Sequence, residues 1–194
     1  GQAWSEAEVV FDAAAAGWAM VSHPCLAVDE KGTVHVVWVR AALPGTFPPE
    51  GVFYARSTDG NKGWSEPFEV AEGAYDWPLV TASGMGQVHL LWNEATGRQG
   101  WWHQWSSSGG EGWTSPQRVP GLTEMPGPLG LVPDGAGALH LVGLGHDDAG
   151  EPALFYVTWN GERWGSLETF PLKIGSGEPG VAVALQAALG RLEV

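Results

Sequence analysis

Three carboxylates stand at similar places along the chain, each a few residues before a proline-led apolar segment. They are Asp76, Glu124 and Glu178, and the segments begin at Pro78, Pro128 and Pro179. If these segments lie side by side in the fold, the carboxylates converge on one cavity. Most glycoside hydrolases use two carboxyl groups about 5 to 10 Å apart across the scissile bond. The three residues are therefore weak candidates for catalysis, and solvated loop carboxylates are the alternative.

An indole accompanies the first of these carboxylates. Trp77 lies between Asp76 and Pro78. An exposed indole can stack on a sugar ring while the neighbouring carboxylate accepts hydrogen bonds from the sugar hydroxyls. The pair predicts a carbohydrate contact, and packing of Trp77 against a neighbouring sheet is the alternative.

A short run of metal-ligand types occurs later in the chain. His146, Asp147 and Asp148 lie between Gly145 and Gly150. Imidazole and carboxylate groups bind divalent cations, but flanking glycines are also typical of a plain turn. These three residues are weak candidates for a metal site, and we expect no cofactor.

A repeated unit of about fifty residues must position these groups. Trp64-Ser65-Glu66-Pro67 recurs as Trp113-Thr114-Ser115-Pro116, and Trp164 follows at a similar spacing. A second phrase, Gly-x-Val-His or Gly-x-Leu-His, recurs at 32–35, 86–89 and 137–140. Repeats of this length are typical of β-propellers, whose four-stranded blades pack around an axis.

We therefore predict an all-β fold, a propeller segment of four-stranded antiparallel blades that forms one domain, or part of one, over residues 1–194. In each blade the first strand is predicted to begin at the proline and the fourth at the repeat tryptophan. Because an incomplete blade carries an unpaired edge, we expect further blades from additional sequence or from another chain. The predicted complete blades are 24–70, 78–119 and 128–170, with partial blades at 4–10 and 179–194.

Three histidines share one register position in these units. His35, His89 and His140 each follow the glycine of the second phrase by three residues. Separate blades do not easily bring such positions to one metal, so we expect each histidine to form a hydrogen bond between blades.

Composition excludes some classes of partner. The chain has 22 acidic and 9 basic side chains, a net charge of -13, which repels phosphate groups and argues against nucleic acid and against an anionic membrane. Cys25 is the single cysteine, so neither an intrachain disulfide nor a cysteine-based zinc site can form. No signal peptide or membrane span is recognisable, and no compartment is assigned.

The segment from Ser57 to Trp64 resembles the Asp-box of sialidase-like propellers, a Ser-x-Asp-x-Gly-x-x-Trp pattern. Here a glycine stands one position early, and the copy at 106–113 has serine in place of the aspartate. The resemblance implies structural roles: the aspartate accepts backbone hydrogen bonds, the glycine supplies positive φ and the tryptophan packs against the adjoining blade. The residues concerned are Ser57, Asp59, Gly60 and Trp64.

The same resemblance implies a ligand pocket at the axial end away from the Asp-box, formed by the loops from fourth to first strand and from second to third strand. The family binds a carboxylate with three arginines, but only Arg40 and Arg98 fall near this face, so sialidase activity is not expected of this segment alone. The candidate ligand-binding residues on this face are Trp77, Asp76, Trp18, His23, Glu94 and Arg98.

Three functions follow as hypotheses. The favoured one is a non-catalytic recognition propeller that binds carbohydrate or a protein partner through its axial loops. The second is a fragment of a glycoside hydrolase or lyase whose remaining catalytic groups lie in missing blades. The third is a scaffold or sensor domain of a larger protein. Loss of glycan binding in Trp77→Ala would favour the first, and loss of hydrolysis in Asp76→Asn or Glu178→Gln the second.

Overall fold

The computed structural model shows an all-β chain. It describes residues 6–41, 49–59, 63–84, 86–94, 100–122, 129–172, 186–188 and 191–193. Over these ranges there is no helix, and hence none long and apolar enough to cross a membrane.

Three four-stranded antiparallel sheets follow one another along the chain, each pairing its strands in chain order. We call them the first, second and third blades. The first consists of β1 (Met20–Val28), β2 (Val34–Ala41), β3 (Gly51–Ser57) and β4 (Phe68–Glu72). The second consists of β5 (Tyr75–Ala82), β6 (Val88–Glu94), β7 (Trp101–Ser106) and β8 (Gln117–Arg118). The third consists of β9 (Gly130–Pro133), β10 (Leu139–His146), β11 (Pro152–Trp159) and β12 (Glu168–Pro171). A hairpin of β13 (Gln186–Ala188) and β14 (Arg191–Glu193) follows. The predicted fold class is confirmed.

In the first two blades the first strand begins earlier than predicted, whereas β9 of the third blade begins at Gly130, after the predicted Pro128. β1 and β5 contain Pro24 and Pro78 in their interiors, and their registers shift between Ser22 and Cys25 and between Asp76 and Leu79. Each proline therefore lies at a β-bulge, where its missing N–H costs no ladder hydrogen bond. Pro128 and Pro179 lie outside the described residues.

The fourth strands begin later than predicted, four residues after each repeat tryptophan. The intervening segment follows the third strand as a connection: the Ser65 N–H donates to the Arg56 carbonyl, and the Thr114 N–H to the Trp105 carbonyl, each at 2.9 Å. At the amino-terminal end, residues 6–10 form no strand, and residues 4 and 5 of the predicted partial blade lie outside the description.

The blades pack face to face through apolar clusters. Val37, Val39 and Tyr54 of the first blade meet Leu90 and Trp92 of the second. The other side of the second blade buries Leu91, Trp101 and their neighbours against Leu139, Phe155 and Trp159 of the third. This contiguous apolar burial is the main stabilising contribution to the arrangement.

The repeat tryptophans face the preceding blade. Trp113 packs edge-on against Tyr54 of the first blade, with ring centroids 5.0 Å apart. The Trp164 indole N–H donates to Nδ1 of His103 in the second blade at 3.2 Å. Trp64 packs on the outward side of the first blade, in a cluster with Trp38 and the amino-terminal segment.

The expectation that the repeated histidines bond between blades is wrong. Nδ1 of His35 is hydrogen-bonded to the Tyr54 hydroxyl at 2.7 Å, and Nδ1 of His140 to the Tyr156 hydroxyl at 2.7 Å. Both bonds join the second and third strands of one blade. In each case the polar partner of the histidine comes from the adjacent strand of the same blade.

Candidate functional site

Two bulges bring three of the predicted residues together. β1 and β5 are the first strands of adjacent blades and lie against each other. His23 is at the bulge of β1, and Asp76 and Trp77 are at the bulge of β5. We call these three residues the axial patch.

The backbone at both bulges is unusual. His23 has φ of 48° and Trp77 has φ of 49°, and within the described ranges they are the only residues other than glycine with positive φ. Each directly precedes a proline, and positive φ costs an ordinary residue roughly 1 to 2 kcal/mol. Two such residues at equivalent repeat positions make this a candidate functional site, because strain of this kind is concentrated at functional positions.

The side chains of the axial patch contact one another. The His23 ring stacks on the Trp77 ring with centroids 4.1 Å apart and planes inclined by 26°. Nδ1 of His23 lies 2.6 Å from Oδ1 of Asp76. The same carboxylate oxygen accepts the backbone N–H of Trp77 at 2.8 Å. Asp76 thus fixes both the imidazole ring and the bulged backbone.

The patch is reachable from solvent. The His23 side chain is 38% exposed and the Asp76 side chain 17%. Because Nδ1 of His23 is held by Asp76, Nε2 is the nitrogen that can contact a ligand. Trp77 is half-buried and packs against the apolar cluster between the second and third blades, so the alternative of blade packing holds for part of its ring. The patch offers a carboxylate, an imidazole and an aromatic edge within one small area.

Trp18, another candidate for ligand binding, lies apart from the patch. Trp18 is enclosed by Phe11 and Phe53, each with ring centroids 4.5 Å away, and the Arg40 guanidinium lies over it at 5.1 Å. It belongs to the aromatic cluster on the outward side of the first blade. Arg98 lies outside the described residues, as do Glu124 and Glu178.

Glu94 lies at the end of β6, one residue beyond the partner of Asp76 in the register. Its Oε2 accepts a hydrogen bond from Arg118 at 2.6 Å, and the Arg118 guanidinium stacks 4.2 Å from the Trp102 ring centroid. Sequence reasoning missed this ion pair, because its two residues lie on different strands with no local motif to join them.

The predicted metal-ligand run forms the turn between β10 and β11. Oδ1 of Asp147 accepts the backbone N–H groups of Ala149 and Glu151, each at 2.9 Å. Across the described part of the chain, no three His, Cys, Asp or Glu side chains group closely enough to hold a metal. The carboxylate of Asp147 therefore stabilises the turn through these two hydrogen bonds.

The Asp-box segment and the β1 bulge lie at opposite ends of the first blade. The amino end of β3 is level with the start of β1, near Met20 and the bulge, and the Asp-box segment follows the carboxyl end of β3. The Ser57 hydroxyl donates to Oδ1 of Asp59 at 2.9 Å. Gly63 has φ of 60°, and a Cβ there would lie 3.2 Å from the Asp59 carboxylate. Gly60 is outside the described residues.

No protein-family model matches the sequence, and no curated protein matches it. Solved structures do match. The Hadza microbial sialidase Hz136 superposes with a TM-score of 0.58 and 20% identity, over 84% of this chain and 37% of that one. A protein of unknown function from Dyadobacter fermentans gives a TM-score of 0.60 and 16% identity, over 80% and 56%. Zg3597, a family 117 glycoside hydrolase from Zobellia galactanivorans, gives 0.50 and 16%, over 81% and 57%.

These likenesses concern the fold. The sialidase and the family 117 glycoside hydrolase are propeller folds, and this chain spans 37% and 57% of their lengths. Together with its three consecutive four-stranded sheets, the comparison identifies the chain as a β-propeller segment.

Proposed function

We propose that this chain is a carbohydrate-recognition propeller segment and that the axial patch is its ligand contact. The observation that carries the proposal is the contact of His23, Asp76 and Trp77 at two strained bulges of neighbouring inner strands. An aromatic surface beside a carboxylate and an imidazole suits a sugar, which has apolar C–H faces and hydroxyl groups that both donate and accept. The names of two structural neighbours, a sialidase and a glycoside hydrolase, support this class of ligand.

The charges favour a neutral sugar. Asp76 places a carboxylate in the centre of the patch, and the whole chain has a net charge of -13. Both repel a sugar acid, since negative potential lowers the local concentration of anions.

We propose that the axial patch binds a sugar without hydrolysing it. A glycoside hydrolase requires two carboxyl groups that flank the scissile bond, and the described axial patch supplies one, Asp76. Glu94 is engaged by Arg118. The enzymatic alternative requires a second carboxylate from outside the described residues, such as Glu124 or Glu178, or from a further blade.

The test is a glycan array followed by titration of the bound sugars. Asp76→Asn keeps the shape of the side chain but removes its charge, so we expect affinity to fall roughly ten- to hundredfold, the loss of about 1.5 to 3 kcal/mol for a hydrogen bond to a charged group. Asp148→Asn, an identical change at an exposed turn position, is the matched control. Unchanged affinity in Asp76→Asn would contradict the proposal. Hydrolysis of a bound glycan that is lost in Asp76→Asn would establish the enzymatic alternative.

We also propose that the outward face of the first blade receives a further blade, supplied for the isolated chain by a second copy. Leu26 is 59% exposed on this face, where it pairs with Val36. Val80 occupies the equivalent position in the second blade, pairs with Leu90 and is only 6% exposed, because the first blade covers it. The difference between equivalent positions indicates that this apolar face lacks its usual neighbour.

Sedimentation velocity tests this second proposal. We expect the wild-type chain to self-associate reversibly and Leu26→Asp to weaken that association. Ala149→Asp, a change at an exposed turn residue of the third blade, is the control. A wild-type chain that stays monomeric at every concentration would contradict pairing with a second copy.

A further inference from the structure

Residues 7–11, which we call the edge segment, occupy the place of a fourth strand. In the sequence, Trp4-Ser5-Glu6 matches Trp64-Ser65-Glu66, which leads into β4. The distance from the repeat tryptophan makes Val10 equivalent to Val70. By this register the edge segment is the fourth strand of a blade that precedes the first one.

The edge segment also packs as a fourth strand does. Val10 and Phe11 lie against the outward cluster of the first blade, which includes Trp38. β4 lies in the same way, through Val70, against the cluster that includes Trp92 of the second blade. Trp38 and Trp92 are equivalent, because each follows the repeated histidine by three residues. The edge segment therefore stands to the first blade as β4 stands to the second.

The edge segment lacks the other contact of a fourth strand, the ladder to a third strand. β4, β8 and β12 pair with β3, β7 and β11 of their own blades. Within the part of the chain that the structure describes, residues 6–11 pair with no strand. One side of the segment therefore presents unpaired backbone N–H and C=O groups, and such an edge is a template for an added strand.

The three blades indicate which residues the missing neighbour carries. In each blade, the residue five positions after the repeat tryptophan pairs with an aromatic residue of the third strand. The pairs are Glu69 with Phe53, Arg118 with Trp102 and Thr169 with Phe155. Val9 is five positions after Trp4 and is 74% exposed. An aromatic residue opposite Val9 would cover this apolar side chain, and aromatic pairs with β-branched residues stabilise antiparallel strands.

Charge limits the partner further. Glu6, Glu8 and Asp12 are exposed acidic side chains on and beside the edge segment. No basic residue occurs between positions 6 and 18. Like charges directly opposite each other destabilise a ladder, so an acidic strand is disfavoured and a neutral or basic strand is favoured.

We propose that the edge segment binds an extended partner strand, which adds to it as the third strand of the preceding blade. The partner strand is neutral or basic and has an aromatic residue opposite Val9. In this mode, main-chain hydrogen bonds give affinity and the alternate side chains give specificity. The site is a backbone edge, so it depends neither on sugar binding by the axial patch nor on pairing with a second copy.

Fluorescence anisotropy with a peptide copy of β3 tests the proposal on the full chain. The probe is a labelled peptide with the sequence of residues 50–57, which includes Phe53 and Arg56. We expect saturable binding. Phe53→Ala in the peptide should weaken binding by up to about fivefold, the effect of one cross-strand aromatic pair. Equal affinity of the two peptides would refute the aromatic pairing.

Two proline variants of the chain test the ladder. In the second blade the Val119 N–H donates to a carbonyl of β7 at 2.8 Å, and donors face the neighbouring strand at every second residue, so the Gln117 N–H faces β7 too. Glu8 is equivalent to Gln117, and Glu8→Pro should weaken peptide binding roughly three- to tenfold through loss of this donor. Ala7→Pro is the matched control, because Pro116 occupies the equivalent position, and it should leave binding unchanged.

The outcomes locate the site. The proposal is overturned if the β3 peptide does not bind saturably, or if Glu8→Pro and Ala7→Pro bind it equally well. Binding that is lost in Leu26→Asp but kept in Glu8→Pro would place the peptide on the open face of the first blade and would also overturn the proposal. We expect Asp76→Asn to bind the peptide normally, so a failure of the sugar proposal leaves this result unchanged.

Discussion

The buried histidine pair of the second blade should make the fold sensitive to mild acid. His89 and His103 are fully buried, and Nδ1 of His89 lies 3.1 Å from Nε2 of His103. Desolvation lowers the pKa of His89 to about 4. Desolvation also lowers the pKa of His103, and the neighbouring His89 adds to the effect. Both rings are therefore neutral in the folded chain near neutral pH.

The sign and size of the effect follow from proton linkage. In the unfolded chain His89 has a pKa of about 6.5, so below that pH the unfolded state binds a proton that the folded state does not. The free energy of unfolding then falls by up to about 1.4 kcal/mol per pH unit. For a folded pKa of about 4, His89 alone accounts for a loss of about 3 kcal/mol by pH 4. This loss of unfolding free energy occurs as the pH is lowered from 6.5 to 4.

Urea unfolding followed by tryptophan fluorescence measures this loss at pH 7, 6, 5 and 4. His89→Gln carries no proton in this range, so the slope of unfolding free energy against pH should become shallower by the His89 contribution. The comparison uses slopes, because the substitution also changes stability at pH 7. Asp29 and Asp134 do not interfere: burial raises their pKa, but backbone hydrogen bonds outweigh it and lower their pKa below 3.8. Equal slopes in the two proteins would refute the reasoning.

Two further predictions concern glycine and the Asp-box. Gly110→Ala should lower the free energy of unfolding in urea by about 1 kcal/mol more than Gly161→Ala does, or by a larger difference. Both glycines have positive φ, so the backbone strain is shared by the two variants. Only at Gly110 would the new Cβ meet the Tyr54 ring, because nothing lies within 4 Å of the Cβ position at Gly161. Equal costs would contradict this. Asp59→Ala should lower the unfolding free energy by about 1 kcal/mol, through loss of the Ser57 hydrogen bond, and leave glycan-array binding unchanged; weakened binding would be inconsistent with a purely structural Asp-box.

The repeat made most of the fold predictable. The Gly-x-Val-His phrase marks the start of the second strand because alternating apolar residues follow it directly, as at Val34 and Val88. Boundaries near proline were predicted less well. A proline can lie at the first residue of a strand or at an interior bulge, and the sequence around Pro24 does not distinguish the two.

The contact among the three residues of the axial patch was not predicted from the sequence. His23, Asp76 and Trp77 were each assigned to one face from the repeat and the family resemblance. Their stacking depends on two bulges that turn side chains from adjacent blades toward each other, a tertiary arrangement with no local signal. The sequence did show that His23 and Trp77 occupy the same position, directly before the proline of each repeat. It did not show that the backbone at this position has positive φ.

The bulges allow a side chain to change without changing the pairing of the strands. A bulged residue is left out of the ladder, so His23 and Trp77 occupy one backbone slot with very different side chains while the strands on both sides keep their pairing. In the sequence, Gly127 and Glu178 directly precede the prolines of the later repeats. Substitutions at this one position in each repeat can therefore change the surface without changing the fold. Glycine and asparagine are the replacements that cost least there, because they tolerate positive φ best.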